Sequence, residues 1–165
     1  FRSETKINKI MGLAKSKHIL VIGLSNSGKS HLIDYITNVG NLSRQPSWIE
    51  KTRCGNYHFT EIGGSVNLNM IHEVPDCIYM IIRDQIHESN SLLLMASVIF
   101  ENTPIAVIWN GIKPPESFFY PKNRRICSCT LDFDDFNWME KFQKLLEWVD
   151  TGPCGAGIDR QRDIP

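Results

Sequence analysis

Neither sign of charge prevails in this 165-residue chain: 18 lysines and arginines stand against 18 aspartates and glutamates. A balanced chain has no global field with which to hold a polyanion, so nucleic acid is excluded as an expected partner. No apolar stretch approaches the roughly 20 residues that a membrane-spanning helix needs, and no signal peptide opens the sequence. Metal-ligand spacing is missing too. The five cysteines are odd in number and scattered, and Cys127 and Cys129 stand one residue apart with no second pair. That pattern excludes a zinc knuckle and leaves reduced thiols in a cytoplasmic protein as the expectation. The five histidines show no His-x3-His spacing, so they are not expected to be ligands. There is also no internal repeat and no low-complexity block.

What is present alternates between strand and helix, the signature of an α/β sheet. His18-Ile19-Leu20-Val21-Ile22-Gly23 is a short apolar run ending at glycine, expected as a buried strand. Leu32, Ile33 and Ile36 recur at helical spacing from Lys29 to about Val39, with Gly40 as the stop. Two strands are expected over 47–53 and 57–62, joined by a hairpin turn at Gly55-Asn56. Further strands are expected over 77–82, 105–109 and 126–129, and helices over 91–100 and 136–149. In the last helix Trp138, Met139, Phe142, Leu145, Leu146 and Val149 form one stripe, read as core. The chain thus divides into a basic amphipathic segment over 1–17, a globular domain over 18–150, and a tail over 151–165 whose lack of periodicity predicts disorder.

The chemistry is concentrated in Gly23-Leu24-Ser25-Asn26-Ser27-Gly28-Lys29-Ser30. Gly-x4-Gly-Lys-Ser directly after a strand and before a helix is a P-loop in its required context. Its glycines let the backbone wrap so that the amides of Ser25, Asn26, Ser27, Gly28 and Lys29 point at phosphate oxygens, and the new helix adds its positive end. Lys29 is suited to the β- and γ-phosphates and the Ser30 hydroxyl to Mg²⁺. The fold class expected is therefore a P-loop nucleoside-triphosphatase fold, a mostly parallel central sheet flanked by helices.

The run Ile19 to Ser30 resembles the first strand and P-loop of the Arf and Arf-like small GTPases, where Gly-Leu-x-x-x-Gly-Lys-Ser/Thr is typical. Phe59-Thr60-Glu61-Ile62-Gly63-Gly64 is similar to the family's strand ending in Asp-x-Gly-Gly. Cys77 to Asp84 falls where the next strand belongs, and Pro104 to Asn110 is similar to the strand leading into Asn-Lys-x-Asp. The resemblance runs from about Ile10 to Val149 with order preserved. It implies a GTP- or GDP-binding switch with Mg²⁺. Ser30, Glu61 and, from the Pro-Thr position of the first switch loop, Ser47 would serve the metal. Gly64 would sense the γ-phosphate, and Asn110 and the loop near Cys129, within a residue or two, would meet the base. Effector or regulatory proteins would bind the switch loops over 41–48 and 63–73.

Four departures shape that expectation. Glu61 stands for the family's metal-holding aspartate, and Ser65 for the glutamine that orients the attacking water, which predicts slow or absent hydrolysis. Gly111 and Lys113 replace the lysine and aspartate of the base-reading motif. A lysine offers only donors where guanine N1 and N2 need an acceptor, so guanine selectivity is predicted to be relaxed. The alternative reading is then a pseudo-GTPase, an interaction scaffold with altered or lost nucleotide specificity. A small kinase is a third, disfavoured because no acceptor-binding lid accompanies Arg124 and Arg125. Between Asn110 and Ile126 little room remains for the usual penultimate helix, and Pro114, Pro115 and Pro121 would break one. In 1–17, Ile7, Ile10, Met11 and Leu13 interleave with lysines as in an interfacial membrane helix, in the place where Arf-type GTPases carry one. Peripheral membrane contact is expected there. Met11-Gly12-Leu13-Ala14-Lys15-Ser16 also fits an N-myristoylation pattern, usable only if residues 1–10 were absent from the mature protein.

Overall fold

The computed structural model describes residues 16–37, 49–63, 67–122, 125–132, 135–151 and 159–160. The basic N-terminal segment up to residue 15, the first switch loop and Gly64 to Val66 lie outside the described residues. Among the described residues seven strands form one sheet: β1 (Lys17–Ile22), β2 (Ile49–Cys54), β3 (Tyr57–Ile62), β4 (Cys77–Ile82), β5 (Ile105–Trp109), β6 (Ile126–Thr130) and β7 (Asp159–Arg160). Their order across the sheet is β2-β3-β1-β4-β5-β6-β7. The five inner strands β3, β1, β4, β5 and β6 run parallel, and only the edges β2 and β7 are antiparallel. Among the described residues three α-helices accompany them: α1 (Lys29–Thr37), α2 (Ile86–Ile99) and α3 (Trp138–Thr151).

The continuous apolar runs Leu20 to Ile22, Cys77 to Ile82 and Ile105 to Trp109 are what a parallel sheet covered on both faces requires, and these residues are all buried. Alternation sorts them into two cores. Ile19, Val21, Phe59, Tyr79 and Ile108 meet α1 through Leu32 and Ile33 and α3 through Phe142, Leu145 and Trp148. Leu20, Ile22, Ile78, Met80 and Val107 meet α2 through Leu93 and Ala96. Turn chemistry closes the β2–β3 hairpin at Gly55, whose φ of +59° is the left-handed conformation that glycine adopts without strain.

Most expected elements fall within a few residues of their observed bounds, and the differences have physical reasons. Helix α2 starts at Ile86 rather than Ser91. Its first turns are polar and largely solvent-facing, and Gln85 at its N-cap is left-handed (φ 51°) and makes no side-chain cap, so no start signal is written in the sequence. Helix α3 starts at Trp138, and Phe136 is exposed in the turn before it. Met139, expected in the apolar stripe, is 54% exposed, whereas Trp138, Phe142, Leu145 and Trp148 are buried. In the tail, Asp159 and Arg160 pair with Ser128 and Cys127 on β6, and 152–158 and 161–165 lie outside the described residues.

The stretch from Asn110 to Arg125 crosses between β5 and β6 without a helix among its described residues. Aromatic packing takes over the covering role. Phe118 lies edge-on to Trp109 with centroids 4.8 Å apart, and Tyr120 edge-on to Phe118 at 4.9 Å. The Asn90 side chain fixes this crossover to α2: its Nδ2 donates to the Phe119 carbonyl at 2.7 Å, and its Oδ1 accepts from the Phe119 amide at 2.9 Å.

Phe142 anchors α3 to the sheet, buried and edge-on to Tyr79 at 6.4 Å. Phe142→Ala is expected to lower stability by about 3–5 kcal/mol through lost burial and a residual cavity, read as a lower urea midpoint with an unchanged slope.

Candidate nucleotide-binding site

Ligand sites of open α/β sheets lie beyond the carboxyl ends of the strands where the strand order reverses, and here β1 lies between β3 and β4 with the P-loop at its end. The loop is built close to its neighbours. A Cβ placed on Gly23 would stand 2.6 Å from the Ile81 carbonyl oxygen and 2.6 Å from Ser27 Oγ, so only glycine fits. Gly28 has φ of +106°, and Asn26 is left-handed at φ 65°, a conformation asparagine tolerates better than most residues. The Ser27 amide donates to the Leu24 carbonyl at 3.2 Å, and the Leu32 amide to the Gly28 carbonyl at 3.0 Å as α1 begins. No acidic residue occupies the first turn of α1, so the positive end of the helix is left to an anion.

Lys29 turns back over this loop. Its Nζ donates to the Gly23 carbonyl at 2.7 Å and to the Leu24 carbonyl at 2.8 Å, and the residue is 6% exposed. Burial lowers its pKa from the usual lysine value to about 8, against the opposing pull of the Glu61 carboxylate. Next to it the Ser30 hydroxyl donates to Glu61 Oε1 at 2.6 Å. Glu61, near the end of β3, is buried and faces the same side as Phe59. Ser27 Oγ is buried and makes no hydrogen bond. Ser25 and Asn26 are exposed at the loop tip.

The side where the resemblance places the base adjoins the ends of β5 and β6. Asn110 is buried, and its Nδ2 donates to the Ser27 carbonyl at 3.0 Å, tying this loop to the P-loop. Gly111 is left-handed at φ 70°, and Lys113 is exposed. Cys129 lies within β6 opposite Ile108, and the chain leaves the sheet two residues later at Leu131 and Asp132. The expected residues Ser25, Asn26, Ser27, Gly28, Lys29, Ser30, Glu61 and Asn110 are thus grouped on one edge. Ser47 and Gly64 lie outside the described residues.

The depressed pKa of Lys29 has a definite sign in folding. Between about pH 8 and 10.5 the unfolded chain holds a proton on Lys29 that the folded chain has released, so this residue makes stability rise with pH in that window. Comparing wild type with Lys29→Met by urea unfolding from pH 7.5 to 9.5 is expected to show wild type gaining about 2 kcal/mol relative to the variant. Parallel pH profiles would contradict the lysine geometry.

No protein-family model matches the sequence, and no curated protein matches it. Solved structures do. IFT22 of T. brucei in its GTP-bound crystal structure superposes with a TM-score of 0.55 at 20% sequence identity, over 81% of this chain and 95% of that one. Its GDP-bound crystal structure gives 0.52 at the same identity and coverage. The Arl6 (BBS3) small GTPase from Trypanosoma brucei, with the nucleotide analogue GppNp bound, gives 0.57 at 12% identity, over 83% of this chain and 99% of that one. The parallel sheet with helices on both faces, the P-loop after β1 and these superpositions agree on one architecture: the chain has the small-GTPase fold.

Proposed function

We propose that this chain is an Arf-like GTP-binding switch that takes a guanine nucleoside triphosphate with Mg²⁺ and hydrolyses it slowly. The observation that carries the reading is the buried Lys29 ammonium, held by two carbonyls of its own loop beside a serine–carboxylate pair. A cation kept this dry is poised for an anion, and the amides of the P-loop and the start of α1 offer a place to hold one. Lys29 then neutralises charge on the phosphates. Ser27 Oγ, which lacks a hydrogen-bond partner, is a further polar group beside them.

The residues present fit the metal. Ser30 Oγ and Glu61 Oε1 are two hard oxygens brought to 2.6 Å, and Mg²⁺ is commonly held by one or two such ligands with the rest from phosphate and water. When bound, Mg²⁺ neutralises charge on the β- and γ-phosphate oxygens. Glutamate in place of aspartate reaches one methylene further, which suits direct contact with the Ser30 hydroxyl from the buried end of β3. Slow hydrolysis follows from Ser65, whose hydroxyl is too short to orient water as a glutamine does. Triphosphate-dependent ordering of loops 41–48 and 63–73 would offer effectors a surface, with the protein in the cytoplasm and its basic N-terminal segment at a membrane. The solved neighbours with GDP, GTP and GppNp bound support this reading of the nucleotide.

Equilibrium binding of labelled GTP and ATP with Mg²⁺, beside Lys29→Ala, tests it. GTP is expected to bind well above ATP, and the variant to lose about 100-fold or more in affinity. Equal binding of both nucleotides would remove the guanine from the proposal. Absence of binding by the intact chain would leave an interaction scaffold.

A further inference from the structure

At the amino end of β1, away from the P-loop, the sheet carries a row of basic side chains. His18 on β1 stands in register with His58 on β3, and His58 with Arg53 on β2. Lys51, paired with Thr60, lies two residues before Arg53 and so faces the same side. Helix α1 covers β2 and β3 from the opposite face, where Leu32 and Ile33 join Phe59. Helix α2 packs on β4, so no helix among the described residues covers this row. The result is a cavity of about 410 Å³ lined by His18, Lys51, Arg53, His58 and Thr60, with Glu73 as the one carboxylate in its wall.

The charges in this cavity are poorly matched. Lys51 and Arg53 are exposed, and among the described residues neither is in an ion pair. Like charges on neighbouring positions of one sheet face repel. Arg53 is held in place by its Nε, which donates to the Gly55 carbonyl at 3.2 Å, leaving the two terminal nitrogens of its fork for another acceptor.

Glu73 does not supply that acceptor. Its Oε1 stands 3.8 Å from His18 Nδ1, and its side chain is 65% exposed. Burial lowers the His18 pKa against the Glu73 and Asp76 carboxylates, so at neutral pH the imidazole offers Glu73 no full charge. His18 itself is firmly placed. Its Nε2 meets Thr60 Oγ1 at 2.6 Å, its amide donates to Asp76 Oδ2 at 2.7 Å, and its carbonyl accepts from the Asp76 amide at 2.8 Å. The second ring nitrogen, Nδ1, is buried and makes no hydrogen bond. A polar atom so placed is completed by a ligand or a shift of Glu73.

We propose that this cavity is a second anion site, built for a phosphate monoester and distinct from the P-loop. A phosphate monoester presents two negative charges on three terminal oxygens, enough to meet the Arg53 fork and the Lys51 ammonium together. The imidazoles of His58 and His18 add donors from the floor. Glu73 is the resident competitor, and it swings toward solvent when the ligand enters. The site does not depend on the nucleotide reading above, because it lies at the other end of β1.

The test follows the ring resonances of His18 and His58 by NMR in the full chain at pH 7.5, titrated with glycerol 3-phosphate and, at equal ionic strength, with sodium chloride. Saturable shifts of both rings are expected with glycerol 3-phosphate alone. Anion binding confined to the P-loop would move the Gly28 amide and leave these rings unchanged, which would overturn the proposal. Lys51→Gln and Arg53→Gln, both at exposed positions, are each expected to weaken binding by about 10-fold, and Glu73→Gln to tighten it by about three-fold or more. That gain is a readout that misfolding cannot imitate. Equal shifts with chloride, or affinities unchanged in the Lys51 and Arg53 variants, would overturn the site. Unchanged affinity in Glu73→Gln would overturn its role as competitor. Sedimentation with phosphatidylcholine vesicles carrying phosphatidic acid, against phosphatidylserine at matched charge, identifies the source. A preference for phosphatidic acid that Lys51→Gln abolishes assigns the phosphate to a lipid headgroup. Ring shifts without that preference assign it to a soluble ester.

Discussion

A lysine ammonium sealed against two peptide carbonyls is the constraint on which this structure turns. Lys29 opens α1, reaches back across the loop and satisfies the carbonyls of Gly23 and Leu24. Those contacts stabilise the charged form, yet desolvation outweighs them and its pKa falls to about 8. The loop is thus held in shape by a cation that its surroundings only partly compensate. In the reading proposed above, an incoming polyanion would supply the missing compensation. The close approach of Gly23 to Ile81 and Ser27, the left-handed Asn26 and the absence of acidic residues in the first turn of α1 all serve that geometry.

The elements most legible from sequence were those governed by local rules. β4 coincides with its expected bounds, because six consecutive buried residues, Cys77 to Ile82, read the same way from either face. The P-loop was legible because strand, glycines, lysine and helix follow in order. Helix α2 was less so: its polar opening carries no cap, and its placement comes from Leu93 and Ala96 settling on the sheet. Met139 fitted the stripe of α3 by spacing, but its position at the helix start leaves it beside solvent rather than over the sheet. The meeting of the loops after β5 and β6 was hardest of all. Asp132 stands 21 positions beyond Gly111 in the numbering, and nothing in either local sequence announces that β5 and β6 place them together.

The short crossover between β5 and β6 has its own logic. With no helix among the described residues of the crossover, the chain covers the end of the sheet with Phe118 and Tyr120 and secures the path with one asparagine amide that bonds both backbone groups of Phe119. Prolines at 114 and 115 suit such an irregular path because they limit the conformations that folding must give up. The loops after β5 and β6 are then joined directly, through Leu131, rather than through an intervening helix.

The position of Trp109 has an optical consequence. This indole is fully buried, lies edge-on to Phe118, and precedes in sequence the asparagine that ties the base loop to the phosphate loop. Trp138 and Trp148 belong to the opposite core, under α3. Emission from Trp109 would respond to a shift of the crossover or of Asn110, whereas Trp138 and Trp148 report on packing across the sheet, and Trp48 lies outside the described residues. Among the described residues, one buried indole thus lies beside the crossover after β5 and two lie across the sheet from it.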